Sequence, residues 1–122
     1  MEKIVYEGSH STPKVVFDHS KGLIEIRGKS IPENAIKFFH PLIEWLKEYA
    51  HNPCDVTRVV LQIDYFNTSS SKCILQILKI LERISAKYEV IVDWIYRDED
   101  MYEIGEDYQL LIKLPFNMLE LE

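Results

Sequence analysis

The sequence predicts a small α/β domain: a mixed β-sheet with helices packed on it. Three observations carry that reading. Two alternating runs, KVVFD at 14–18 and LIEIR at 23–27, are joined by a short segment containing Gly22, the signature of an antiparallel hairpin. Two β-branched and aromatic runs, TRVVLQIDYF at 57–66 and EVIVDWIY at 89–96, flank a stretch with helical spacing. Parallel strands need such a crossover, so this is a parallel β-α-β unit. Finally, a chain of 122 residues fits a single domain, residues 1–122. A domain of that size buries roughly 65% of its unfolded surface and needs no covalent or metal staple.

The elements follow in order. KIVY at 3–6 is a short strand candidate. In the hairpin, Leu23, Glu25 and Arg27 share one face, and Ile24 and Ile26 the other. Ser30 with Glu33 three residues later fits a capping box, and Pro32 fits the first turn of a helix. Ile36, Phe39, Leu42, Ile43, Leu46 and Tyr49 then recur at helical spacing. Pro41 lies inside that stretch, removes a backbone bond and crowds the preceding turn. It predicts a kink or break near His40, and Asn52 and Pro53 end the segment. In the run 57–66, Val59, Leu61, Ile63 and Tyr65 share one face, while Val60 gives the other some apolar character. The next helix, about 69–87, has an apolar face of Ile74, Ile77, Leu78, Leu81 and Ile84. Its polar stripe is Lys72, Gln76, Lys79 and Arg83. The segment 97–116 opens acidic and predicts a short helix over about 99–104, broken at Gly105, then a packed segment.

Composition narrows the function. The formal net charge of −6 argues against a nucleic-acid binder, which displaces counterions with Lys and Arg. Cys54 and Cys73 form no CxxC pair and read as buried thiols. No apolar run reaches the ~20 residues of a membrane span, and no secretory signal is visible, so a cytoplasmic protein is expected. His10, His19, His40 and His51 are scattered without ligand spacing. No metal and no cofactor are expected. There is no GxSxG elbow and no Gly-rich phosphate loop. Glu33 has the chemistry of a general acid, but its capping position explains it. Asp98, Glu99, Asp100, Glu103, Glu106 and Asp107 form an acidic cluster without EF-hand order, which reads as a solvated or partner-docking face. Lys72, Lys79, Arg83 and Lys87 read as the charged outer face of a buried helix, and Trp45 and Trp94 as core.

One stretch admits both a structural and a functional reading, and on physical grounds alone the plain helix cap is the stronger of the two. DYFNTSSSK at 64–72 places Asn67, Thr68, Ser69, Ser70 and Ser71 between a strand and a helix. Asn, Thr and Ser are preferred N-caps, but one cap needs one residue. The other hydroxyls are left at the positive end of a helix dipole, at the C-terminal edge of the sheet, where α/β folds place ligands. A phosphate there would add about −1.5 to −2 charge without unfolding the domain. Chemistry alone does not choose among the hydroxyls.

Over most of its length the chain resembles the SiaC-type bacterial regulatory phosphoproteins. The segments that carry the resemblance are TPKVVFD at 12–18, GLIEIRGKSIPENAIKFFHPLIEWLKEY at 22–49, LQIDYFNTSSSK at 61–72, VDWIYRDEDMYEIGEDY at 92–108 and LPF at 114–116. The resemblance implies a fold similar to anti-sigma factor antagonists (STAS-like). It implies switching by a dedicated kinase and a PP2C-like phosphatase, with the phosphoacceptor at the threonine of the NTSS motif, here Thr68. It implies that the unphosphorylated form binds and activates a diguanylate cyclase, linking it to cyclic-di-GMP and biofilm signalling. Asn67, Ser69, Ser70, Ser71 and Lys72 are then the setting of the phosphosite. Glu33, Asn34, Asp100, Glu103 and Glu106 are candidate partner-docking residues.

Three functions compete at this point. The first is a non-enzymatic phospho-switch centred on Thr68. The second is a small enzyme dependent on a metal or on its carboxylates. The third is a constitutive scaffold in which the hydroxyl run is only a cap.

Overall fold

A computed structural model describes all residues, 1–122. The element order is β1 (Ile4–Tyr6), β2 (Lys14–Asp18), β3 (Leu23–Ser30), α1 (Ala35–Tyr49), β4 (Val56–Phe66), α2 (Thr68–Ser85), β5 (Glu89–Tyr96), α3 (Glu99–Leu111) and β6 (Phe116–Glu120). The six strands form one sheet in the order of the chain, β1-β2-β3-β4-β5-β6. β1, β2 and β3 pair antiparallel, and β3 to β6 pair parallel. The expected mixed sheet with its N-terminal hairpin and β-α-β unit is therefore present. It contains two further parallel crossovers, through α1 and α3.

Strand alternation explains where the core sits. Val15, Phe17, Ile24, Ile26, Val59, Leu61, Val92 and Trp94 occupy matching register positions on one face. They join the apolar faces of α1, α2 and α3 in a single cluster of 27 buried residues. All three helices thus cover the same face. The opposite face, apart from the buried Val60, stays polar or half-exposed, with Glu25, Arg27, Gln62 and Asp93 upon it. In the core Trp94 stacks on Phe116 (5.7 Å between centroids) and donates from Nε1 to the Met101 carbonyl at 2.9 Å. Burying one such side chain contributes about 1.5–3 kcal/mol.

Four local expectations are corrected. Ser30 does not cap α1: it is the last residue of β3, paired with Phe66. The ladder claims it, and α1 starts at Ala35 with Asn34 as N-cap, whose Oδ1 accepts from the Lys37 amide at 3.0 Å. Glu33 therefore closes no capping box. Pro41 does not break α1, which runs unbroken through it. The carbonyl it orphans is that of Lys37, on the exposed side of the helix. Meanwhile Phe39, Leu42, Trp45 and Leu46 hold the inner face on the sheet. Gly105 does not end α3 either. A Cβ there would lie 2.6 Å from Trp94 Nε1 and 2.8 Å from Met118 Cε, so the glycine lets the helix approach the sheet. The packed segment after α3 is an edge strand, β6.

Tyr65 is the fourth correction. Gly28 pairs with Ile63 but Lys29 pairs with Tyr65, so Asp64 is an extra residue in β4. Such a bulge inverts the alternation beyond it. Tyr65, expected on the buried face, is 58% exposed. Phe66 turns inward and packs against Tyr108 (centroids 6.5 Å apart).

Candidate functional site

The parallel strands β3, β4 and β5 all end at one edge of the sheet, and each hands the chain to a helix there. The three N-caps share one chemistry. Asn34, Asn67 and Asp98 each accept, through a side-chain oxygen, the amide of the residue three further on: Lys37 at 3.0 Å, Ser70 at 2.9 Å and Met101 at 2.9 Å. The helices differ in charge. α3 carries Glu99 and Asp100 in its first turn, which offset its dipole, whereas α2 has no acidic residue there.

The orphan amides of α2 can be accounted for one by one. The Asn67 amide donates to the Ser30 carbonyl at 3.1 Å. The Ser70 amide is taken by Asn67 Oδ1, and that of Ser71 begins the helical ladder by donating to the Asn67 carbonyl at 3.0 Å. The Thr68 and Ser69 amides have no partner within the helix. Two such N–H groups therefore stand at the start of the helix beside Thr68, with no acidic residue in its own first turn.

The hydroxyl run divides into unlike members. Thr68 and Ser69 are exposed. Ser70 is fully buried and accepts from the equally buried Ser30 hydroxyl at 2.9 Å. Ser71 is half-buried, and its hydroxyl donates to the Thr68 carbonyl at 2.7 Å. The phenol of Tyr108, on α3, donates to the Ser71 carbonyl at 2.8 Å. Burial pushes that phenol well above its ordinary pKa, and Cys73, itself raised by burial, adds to the effect. The first turn of α2 is thus bolted to β3 on one side and to α3 on the other. Lys72 is exposed and enters no ion pair.

The candidate docking residues fall into separate groups. Asp100 and Glu103 lie with Asp64, Tyr65 and Asp107 in a groove of about 400 Å³ between the end of β4 and α3. Arg97 partly balances it through an ion pair with Asp64 at 2.9 Å. Glu106 lies outside this groove, beside Tyr102, whose phenol its charge raises. Glu33 and Asn34 line a second depression of about 570 Å³ at the start of α1, with Tyr6, Lys37 and Phe38. Sequence reasoning missed the Ser30–Ser70 pair and the Tyr108 anchor. Both join residues far apart in the chain, and neither leaves a local pattern.

No three His, Cys, Asp or Glu side chains converge as a metal ion would require. His19 is engaged by the Asn52 carbonyl at 3.0 Å. Both cysteines are free thiols. No helix is long and apolar enough to cross a membrane.

The site is a helix start with an accessible hydroxyl, at the edge of a small sheet that helices cover on one face. A family model for the SiaC family regulatory phosphoproteins matches residues 6–121, and the chain belongs to that family. It is 29% identical over 119 residues to an uncharacterized protein of Pseudomonas aeruginosa (strain UCBPP-PA14), covering 95% of this chain and 94% of that one. Its structure is similar to that of SiaC of Pseudomonas aeruginosa, with a TM-score of 0.90 at 28% identity, over 99% of this chain and 100% of the other. It is also similar to a chain in the crystal structure of the diguanylate cyclase SiaD in complex with its activator SiaC, from the same organism. That match has a TM-score of 0.89 at 27% identity, over 97% and 99% of the two chains.

Proposed function

We propose that this protein is a non-enzymatic, cytoplasmic phospho-switch whose acceptor is Thr68. A cognate kinase adds the phosphate, a PP2C-like phosphatase removes it, and the unphosphorylated form binds and activates a diguanylate cyclase. The observation that carries this reading is the position of Thr68: exposed, first in α2, beside two amides with no helical partner and no neutralising carboxylate in its turn. The activator role reported for the similar SiaC chain supports the choice of output. Asn67, Ser70 and Ser71 hold the acceptor in place, and Lys72 adds a favourable charge one turn on.

The mechanism is electrostatic. A phosphate on Thr68 brings about −1.5 to −2 charge and three acceptor oxygens. The free amides and the dipole hold it at the surface, worth about 0.3–1 kcal/mol to the helix. The fold therefore does not change; the docking face does. That face, which on this reading includes Glu33, Asn34, Asp100 and Glu103, becomes more anionic next to an already acidic groove. An acidic or apolar partner surface is then repelled.

The test is phosphorylation by the recombinant kinase, followed by intact mass and a cyclase pull-down. Wild type gains one phosphate and loses the cyclase. Thr68→Ala gains none and keeps it, Ser69→Ala behaves as wild type, and Thr68→Asp binds weakly. Wild-type levels of phosphate on Thr68→Ala would overturn the assignment. Full cyclase binding by Thr68→Asp would instead favour a constitutive scaffold.

A further inference from the structure

The seam between α1 and α2 has no role in the reading above. At the end of the molecule away from Thr68, two adjoining depressions of about 520 and 360 Å³ share Lys47, Ile80 and Arg83. Ile80 and Ile84 form a nearly buried apolar floor. Lys47 and His51 stand on the α1 side, and Lys79, Arg83 and Lys87 on the α2 side. Lys79, Arg83 and Lys87 enter no ion pair, and Lys47 pairs only with Glu44 on its own helix at 3.4 Å. The carboxylate lining this seam, Glu82, is already occupied by the Lys113 amide. Lys79, Arg83 and Lys87 thus stand without an ion-pair partner in a chain of net charge −6. Complementing the helix dipoles accounts for Lys47 and Arg83, each in a last turn. It does not account for Lys79, more than a turn earlier, or for the apolar floor between the charges.

We propose that this seam docks an acidic amphipathic helix of a protein partner, whose apolar side chains enter over Ile80 and Ile84 and whose carboxylates meet Lys47, Lys79, Arg83 and Lys87. Charge complementarity selects the acidic partner, and an apolar floor between charged walls selects an amphipathic helix over a flat anionic surface. At a rise of ~1.5 Å per residue, Arg83 lies roughly 22 Å from Thr68 along α2, well beyond a Debye length of ~8 Å. Grip at the seam is therefore insensitive to phosphate at Thr68. Such a handle would serve an enzyme pair that seizes both states of one acceptor, and the seam does not depend on Thr68 being that acceptor.

The test uses a fluorescein-labelled helical peptide with leucines at i, i+3, i+4 and i+7 flanked by glutamates, titrated into the full chain at physiological salt. Saturable binding is expected, with amide shifts at Ala50, Ile80, Arg83 and Ile84 and none at 67–71. Lys79→Glu with Arg83→Glu, both exposed, should keep the fold by circular dichroism and weaken binding roughly tenfold or more. Lys87→Glu alone serves if the double variant misfolds. Thr68→Asp should bind as wild type does. The proposal fails if a scrambled peptide of the same composition binds equally, or if the charge reversals have no effect. It also fails if Thr68→Asp abolishes peptide binding, or if phosphatidylglycerol vesicles bind while the peptide does not.

Discussion

Asn67, rather than any of the hydroxyls after it, starts α2, and this separates residues that look alike in NTSSSK. Asn67→Ala should cost about 1 kcal/mol, the usual worth of an N-cap. Thr68→Ala, losing only an exposed side chain, should stay within about 0.5 kcal/mol. Urea denaturation of the two variants checks the contrast, and equal losses would mean that Thr68 is structural. Ser70 occupies the opposite extreme. A carboxylate forced into its buried site beside Ser30 has no partner, so Ser70→Glu should lose 3 kcal/mol or more and expose apolar surface to a hydrophobic dye. Ser70→Glu is therefore no mimic of phosphorylation. The sequence shows four hydroxyls in a row because chemistry is written in it. Which of them face water depends on Ser30, forty positions away, and so is not.

At the scale of elements, what was legible was whatever local pattern determines. The hairpin, β4, β5 and the apolar face of α2 follow from periodicity, and the structure keeps β5 at Glu89–Tyr96 as read. Two misreadings share a cause, a residue with a strong local preference serving a distant contact instead, and a third comes from a bulge. Ser30 is a good cap but pairs in a ladder, Gly105 is a helix breaker but admits Trp94, and Tyr65 is turned out by the bulge at Asp64. Gly105 gives the sharpest test. In an exposed helix, Gly→Ala stabilises by about 1 kcal/mol. Here Gly105→Ala should destabilise by about 1–3 kcal/mol through overpacking against Trp94 and Met118, with an altered tryptophan emission. A more stable variant would show that the helix–sheet spacing is slack.

At the scale of the whole molecule, the three helices begin at one edge of the sheet and end at the other. Buried phenols contribute to the domain's response to alkaline pH. Burial raises Tyr108 and Tyr49 above the ordinary tyrosine value, so the neutral form is favoured in the fold. Their contribution is present in full below a pH of about 10 and is lost as pH rises past it. Tyr108→Phe, lacking the bond to Ser71, should be less stable by about 1 kcal/mol at neutral pH. The gap should narrow in melting curves taken at progressively alkaline pH, and a constant gap would mean that the phenol does not titrate with unfolding. Asp18 acts at the other extreme. The Ser20 hydroxyl holds it below its ordinary value, so its contribution is lost only as pH falls through that lowered value. The strand order also governs how the molecule is made. Each strand pairs with the one synthesised just before it, so a chain leaving the ribosome extends its sheet by accretion, without waiting for a distant partner. The vulnerable moment comes last. Until Phe116–Glu120 arrives, β5 presents an unpaired edge beside Trp94, and a stalled nascent chain is most prone to aggregate there.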